Sequence, residues 1–222
     1  MRTVDPVRHA ARRQQILDAA ASAIAVKGFD ATTVKDLCAA AGVGSGTLFH
    51  YFADKRAILH ALLEADRDSM RAALESLDVS DPMVALWVVV DLATEDLADP
   101  AAGGMAVAIL SQIGIDPRVG ELLVETDMAV HGVLVGLLER LQAEGRVDPD
   151  WSAAHAATWM QGVIDALYLR CADDDFDAAA EVARLRIVLG RMLVMADPEQ
   201  APDPEQARPR REVSFAQAGG SE

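Results

Sequence analysis

Residues 32–55 constrain this chain more than any other stretch. They read Thr-Thr-Val-Lys-Asp-Leu-Cys-Ala-Ala-Ala-Gly-Val-Gly-Ser-Gly-Thr-Leu-Phe-His-Tyr-Phe-Ala-Asp-Lys, two short helices around a tight turn. Thr33 stands where it can N-cap the first helix, and Asp36, three positions on, completes a capping-box pattern. Val34, Leu37, Cys38 and Ala41 recur at i, i+3, i+4 and i+7 and share one apolar face. Gly42 follows, where a left-handed residue ends a helix without strain. Val43 fills the angle of the turn, and Leu48 and Phe52 face inward from the second helix. Ser45, Gly46, Thr47, His50 and Tyr51 are left outside. Small residues with hydroxyl and ring donors give the edge that a helix needs to enter a DNA groove. Asp54 can cap the next helix, which leaves Lys55 beside free N–H groups, a combination that suits a phosphate.

The pattern Thr33-Val34-x-Asp36-Leu37-x-x-x-Ala41-Gly42-Val43-x-x-Gly46-Thr47-Leu48-Phe49-x-Tyr51-Phe52-x-x-Lys55 resembles the TetR/AcrR family of transcriptional regulators. The resemblance extends upstream through Arg13-Gln14-Gln15-Ile16-Leu17-Asp18-Ala19-Ala20 and Lys27-Gly28-Phe29. It implies an all-α homodimer on a palindromic double-stranded operator, acting as a repressor and releasing DNA when a small molecule enters the C-terminal domain. It also implies phosphate contacts from Thr33, Thr47, Tyr51 and Lys55, and base reading around Ser45, Gly46 and His50. Three positions depart from the family pattern. Gly44 can cap the recognition helix only without a side-chain oxygen, Ser45 replaces a longer arm, and Phe49 lacks a hydroxyl. They leave an alternative open, a small-molecule-binding helical protein with weakened DNA binding.

The net charge of −15 looks wrong for a DNA-binding protein until it is divided. Residues 1–60 hold eight Lys/Arg against five Asp/Glu, net +3, and the remainder twelve against thirty, net −18. Positive charge therefore sits with the motif, and an acidic remainder would orient the molecule on DNA; a merely solvated acidic surface is the plainer explanation of the remainder. The sequence has no uninterrupted apolar run of about 18 residues and no N-terminal apolar leader, so a cytoplasmic, nucleoid-associated protein without membrane contact is expected.

The chain divides into an N-terminal extension (1–9), a helix-turn-helix head (10–70, motif 33–52), a helical ligand-binding and dimerisation body (71–196) and a tail (197–222) whose Pro, Glu, Gln and Ala content reads as disordered. Asp-Pro pairs at 81–82, 116–117 and 148–149 read as helix starts. Helices are expected over 6–26, 55–77, 82–99, 105–113, 117–144, 149–171 and 176–195, with 101–104 as a loop.

In the last helix Val182, Leu185, Leu189, Met192 and Ala196 follow a 3-4-3-4 spacing, which reads as a dimer seam with Trp159, Val163 and Ala166 of the preceding helix. Packing within one protomer is the alternative. Trp87, Met105, Ile109, Gln112, Met128, His131, Trp159, Gln161 and Tyr168 mix aromatic, thioether and polar groups as ligand pockets do, and suggest an apolar or aromatic inducer. Each also reads as ordinary core.

Catalytic and metal chemistry find little support. His60 with Glu64, and Asp127 with His131, are i, i+4 pairs with no third ligand in view. Gly42-Val43-Gly44-Ser45-Gly46 lacks the strand and the Lys-Ser/Thr end of a phosphate loop. No enzyme activity, metal or cofactor is expected.

Overall fold

The computed structural model describes residues 6–173 and 175–193. The expected tail, Ala196 and the first five residues of the expected extension lie outside these. The described residues form nine α-helices and one 3₁₀ turn: α1 (Pro6–Lys27), α2 (Val34–Ala41), α3 (Ser45–Tyr51), α4 (Lys55–Glu75), α5 (Pro82–Leu92), η1 (Glu95–Ala98), α6 (Ala102–Leu110), α7 (Pro117–Ala143), α8 (Ala153–Arg170) and α9 (Ala178–Leu193). No strand occurs among the described residues, and none of their helices is long and apolar enough to cross a membrane.

The head closes its own helix ends. The Asp36 backbone N–H donates to Thr33 Oγ1 (3.2 Å), and the Asp36 carboxylate accepts from the Thr33 backbone N–H (2.9 Å). Gly42 takes φ +61° and ends α2. Gly44 caps α3 with no side-chain bond, and Asp54 accepts from the Ala57 N–H at the start of α4. Ile16, Leu17, Ala20, Leu37, Ala41, Leu48, Phe52, Ile58 and Ala61 make the core of this unit.

A second core joins head to body. Ile24 of α1, Phe29, Leu59 and Leu63 of α4 pack with Ala108 of α6 and with Val119 and Leu122 of α7. Helix α4 therefore belongs to both units. The third and largest core lies between α5, α7, α8 and α9.

Three expected boundaries move. Residues 102–104 are the first turn of α6 rather than loop. Their glycines serve close approach. A Cβ on Gly103 would stand 2.5 Å from the Cys171 carbonyl oxygen, and one on Gly104 would overlap the Ala25 carbonyl of α1. Asp148-Pro149 does not open α8. The Asp148 N–H is tied to the Leu193 carbonyl (3.1 Å), Gln142 Nε2 holds the Asp148 and Trp151 carbonyls (3.0 and 2.6 Å), and Ser152 supplies the cap. Helix α5 stops at Leu92 and tightens into η1, with the Thr94 hydroxyl donating back to the Val90 carbonyl (2.8 Å).

Candidate nucleic-acid interface and the body behind it

Helix α3 is pinned from beneath by Leu48 and Phe52, both buried, so its other side is turned outward. Gly44, Ser45, Gly46, Thr47, Phe49 and His50 are exposed, and Tyr51 is half-buried. Around Gly44 and Gly46 nothing lies within 4 Å of where a Cβ would stand. The protein's own packing therefore does not require either glycine. Arg13 of α1 lies over the Phe52 ring, 5.2 Å from its centroid, and fixes the end of α3 against α1.

Two expected phosphate ligands are engaged elsewhere. Lys55 Nζ donates to the carbonyls of Phe29 (2.6 Å), Thr32 (2.9 Å) and Asp30 (3.3 Å) and lies 4.3 Å from the Phe29 ring centroid. An ammonium has three N–H donors, and three carbonyls take them. In this arrangement the lysine ties the start of α4 to the loop before α2. Thr33 gives its hydroxyl proton to Asp36 (2.6 Å). Asp36 also receives Lys27 Nζ (2.5 Å). Lys27 and then Thr33 hold its carboxyl well below the usual range.

The nine expected pocket residues do not meet in one place. Met105 and Ile109 pack on the head–body core. Gln112 is buried in the same joint, where its Nε2 donates to Asp30 Oδ1 of the head (3.3 Å). Met128 and Trp159 are 68% and 53% exposed, and Trp159 lies beside Trp151 on the outside of α8. These five lie at the joint or on the surface, because helix packing sets the face and sequence spacing alone does not. The structure does bring His131 and Gln161 together: His131 Nδ1 is 2.7 Å from Gln161 Oε1, while Gln161 Nε2 donates to the Asp127 carbonyl (3.0 Å) and to its carboxylate. Trp87 and Tyr168 pack on the body core, Trp87 under Arg186 and Tyr168 donating to the Ala93 carbonyl (3.1 Å). Burial, then Asp96 and Asp66, push the Tyr168 hydroxyl far above its ordinary value. Asp66 still reaches water, yet the surrounding protein and the carboxylates of Asp96 and Glu95 raise its carboxyl.

Other contacts left no periodic signal in the sequence. His60 Nε2 of α4 sits 2.8 Å from Asp116 Oδ2, the cap of α7. Arg67 Nη1 of α4 donates to Glu125 of α7 (2.7 Å). His9, in the first turns of α1, stacks on Tyr51 with ring centroids 4.6 Å apart.

The model of bacterial regulatory proteins, tetR family, matches residues 16–62. The chain is 30% identical over 166 residues to the HTH-type transcriptional repressor Rv1474c of Mycobacterium tuberculosis, covering 75% of this chain and 85% of that one. It belongs to the tetR family. Solved structures share the fold at lower identity. A transcriptional regulator from Saccharomonospora viridis in complex with choline gives a TM-score of 0.70 at 18% identity over 84% of this chain and 100% of that one. FadR from Bacillus subtilis in complex with stearoyl-CoA gives 0.65 at 22% over 79% and 96%. As a tetR-family member the chain is a DNA-binding transcriptional regulator, of a family that binds small molecules and works as dimers.

For a tetR regulator the surface of α8 and α9 matters next, and here the residues of the expected seam divide between an inward and an outward side. Leu185 and Leu189 are buried in the protomer's own core, with Val182, Met192 and Val163 packed against it. The 3-4-3-4 stripe of α9 is the side that holds the helix to its own body. The opposite side is apolar too: Trp159, Ala166 and Leu169 of α8, and Ile187 and Val188 of α9, are exposed.

Proposed function

We propose that this tetR regulator is a homodimeric repressor that grips a palindromic operator through α3 and lets go when a small molecule enters the body. The observation that carries the reading is the open side of α3. Gly44 and Gly46 have empty space around them, so the room they leave is read as room for the DNA backbone. Ser45 and Gly46, at the N-terminal end of α3, are placed to read base edges, with Thr47 and Tyr51 along the flanking phosphates and the exposed Phe49 ring beside them. The outward face of Trp159, Ala166, Leu169, Ile187 and Val188 is proposed as the two-fold contact, a large apolar area for a soluble monomer to leave open.

The small molecule is proposed to enter beside α5, α7 and α8, where Trp87, His131, Gln161 and Tyr168 stay inward. Helix α4, shared by the head and joint cores, then carries the change. Release requires that the ligand favour the DNA-incompetent arrangement, with a coupling of about 1–3 kcal/mol, or roughly 5–150-fold in operator affinity. Selection of duplexes from random-sequence DNA, followed by footprinting, tests the reading. Two half-sites whose centres lie about 34–36 Å apart, or a multiple of that, are expected. A single asymmetric half-site bound by monomer overturns the dimeric operator. Compounds that bind the body must also lose affinity, by the same factor, in saturating operator DNA.

A further inference from the structure

We propose that His9, His50 and Tyr51 form one titratable contact to the DNA backbone, in which the two imidazoles gain protons as the duplex binds. The proposal rests on the DNA-binding reading above.

The geometry is a three-ring cluster at the C-terminal end of α3. Tyr51 stands 4.6 Å from His9 and, nearly perpendicular, 5.3 Å from His50; His9 and His50 are 6.0 Å apart, edge to face. His9 comes from α1, more than forty residues earlier in the chain, and the stack delivers it to the recognition helix. His50 is exposed and His9 and Tyr51 are half-buried, so the rings are supported while their edges stay open. The last turn of a groove-bound helix lies against sugar and phosphate more than against base edges. This placement moves His50 from the base-reading group to the backbone group and adds His9 to it.

The surrounding charge favours coupling. The elements that meet here carry Arg8, Arg12 and Arg13 on α1, Lys35 and Asp36 on α2, and Asp54, Lys55 and Arg56 at the start of α4. Arg12 is held on Gln15, Arg13 lies over Phe52, and Lys55 is spent on carbonyls. Both carboxylates are engaged, Asp36 with Thr33 and Lys27 and Asp54 with the Ala57 N–H. What would stabilise two imidazolium ions is therefore brought by the DNA. Each imidazole takes one proton from solvent and faces one phosphodiester oxygen, and binding and proton uptake are linked.

The test uses the full-length protein and the duplex it selects from random-sequence DNA. Affinity is measured at pH 6 and pH 8 over a range of salt. The wild type is expected to bind about tenfold tighter or more at pH 6. Its log K against log salt slope should be steeper there by about one unit per imidazole charged. His9→Gln and His50→Gln should each remove part of both effects, and the double variant nearly all. His9→Phe keeps a ring on Tyr51 and should lose the same share of the pH response and of the slope difference as His9→Gln, which separates the missing charge from a missing stack. If the double variant keeps the wild-type pH response and slope difference, the proposal is overturned while DNA binding stands. If the protein selects no duplex at either pH, the DNA-binding reading falls and this proposal with it.

Discussion

In the head, the contacts that cap the ends of α2 and the start of α4 lie a few residues apart: Asp36 with Thr33, Asp54 with the Ala57 N–H, and the Gly42 N–H with the Ala39 carbonyl. In the body, the contacts that set helix against helix span 30 residues for His131–Gln161, 58 for Arg67–Glu125 and 95 for Arg186–Asp91. The head's shape follows from its own short stretch of chain. The body's shape depends on distant pairs agreeing, and an assembly of that kind can hold two arrangements. The joint, with its own core and the His60–Asp116 pair, is where one meets the other.

The largest expected effect breaks the body and leaves the head's local contacts in place. Leu189→Asp puts a carboxylate into a site with no exposure, a loss on the order of 4 kcal/mol, and should abolish cooperative melting of α7–α9. Ile187→Asp, two residues away and 54% exposed, should keep the melting transition and yield monomers in sedimentation. If the two variants behave alike, the division of α9 into core and dimer faces fails.

Gly104→Ala probes the joint. Its methyl would meet the backbone of Ala25, which cannot rotate away, so α6 and α1 must separate. A loss of about 1–3 kcal/mol by denaturant melting is expected, with weakened operator binding although no DNA-facing residue changes.

Lys55→Met comes next. It keeps the stem over Phe29 and removes three charge-assisted bonds, and should cost about 1–2 kcal/mol while leaving the salt slope of operator binding unchanged. A slope reduced by one unit with stability unchanged would restore the phosphate role.

The smallest effect sits in the head's surface. The folded Asp36 carboxyl lies below its unfolded value, so its contribution is present above about pH 4 and fades as pH falls below that. Asp36→Asn should therefore lower Tm at pH 7, and the gap should narrow between pH 4 and pH 3. A gap independent of pH would mean that the carboxylate's charge is not what matters.

These contrasts explain what was legible in the chain. Thr33, Gly42 and Asp54 could be assigned from neighbours in sequence because caps and left-handed turns are decided there. The α9 stripe was legible as a stripe. Its partner was not, since the same 3-4-3-4 spacing serves a dimer seam or a protomer's core, and Ile187 and Val188 give the other side enough apolar character to hide the choice. Gly103 and Gly104 read as loop because glycine lowers helix propensity; two backbones passing at contact distance overrode that preference. Lys55 sat in its family position, but only the fold of residues 28–33 beneath it reveals three carbonyls aimed at one ammonium. The Met and Trp residues carried the right chemistry for a pocket, and their helix faces sent them to three different places.

The shared core of Ile24, Phe29, Leu59, Leu63, Ala108, Val119 and Leu122 bears on how hybrid regulators could be built from this chain. A cut near residue 70 looks natural from the motif, yet it would strip Phe29 and the inner side of α4 of their cover. A transplanted reader should therefore carry α6 and the first two turns of α7 with it, or receive replacements matched to the backbone of Ala25. The portable unit is assembled from two separated pieces of chain, and the recombination point belongs within α7.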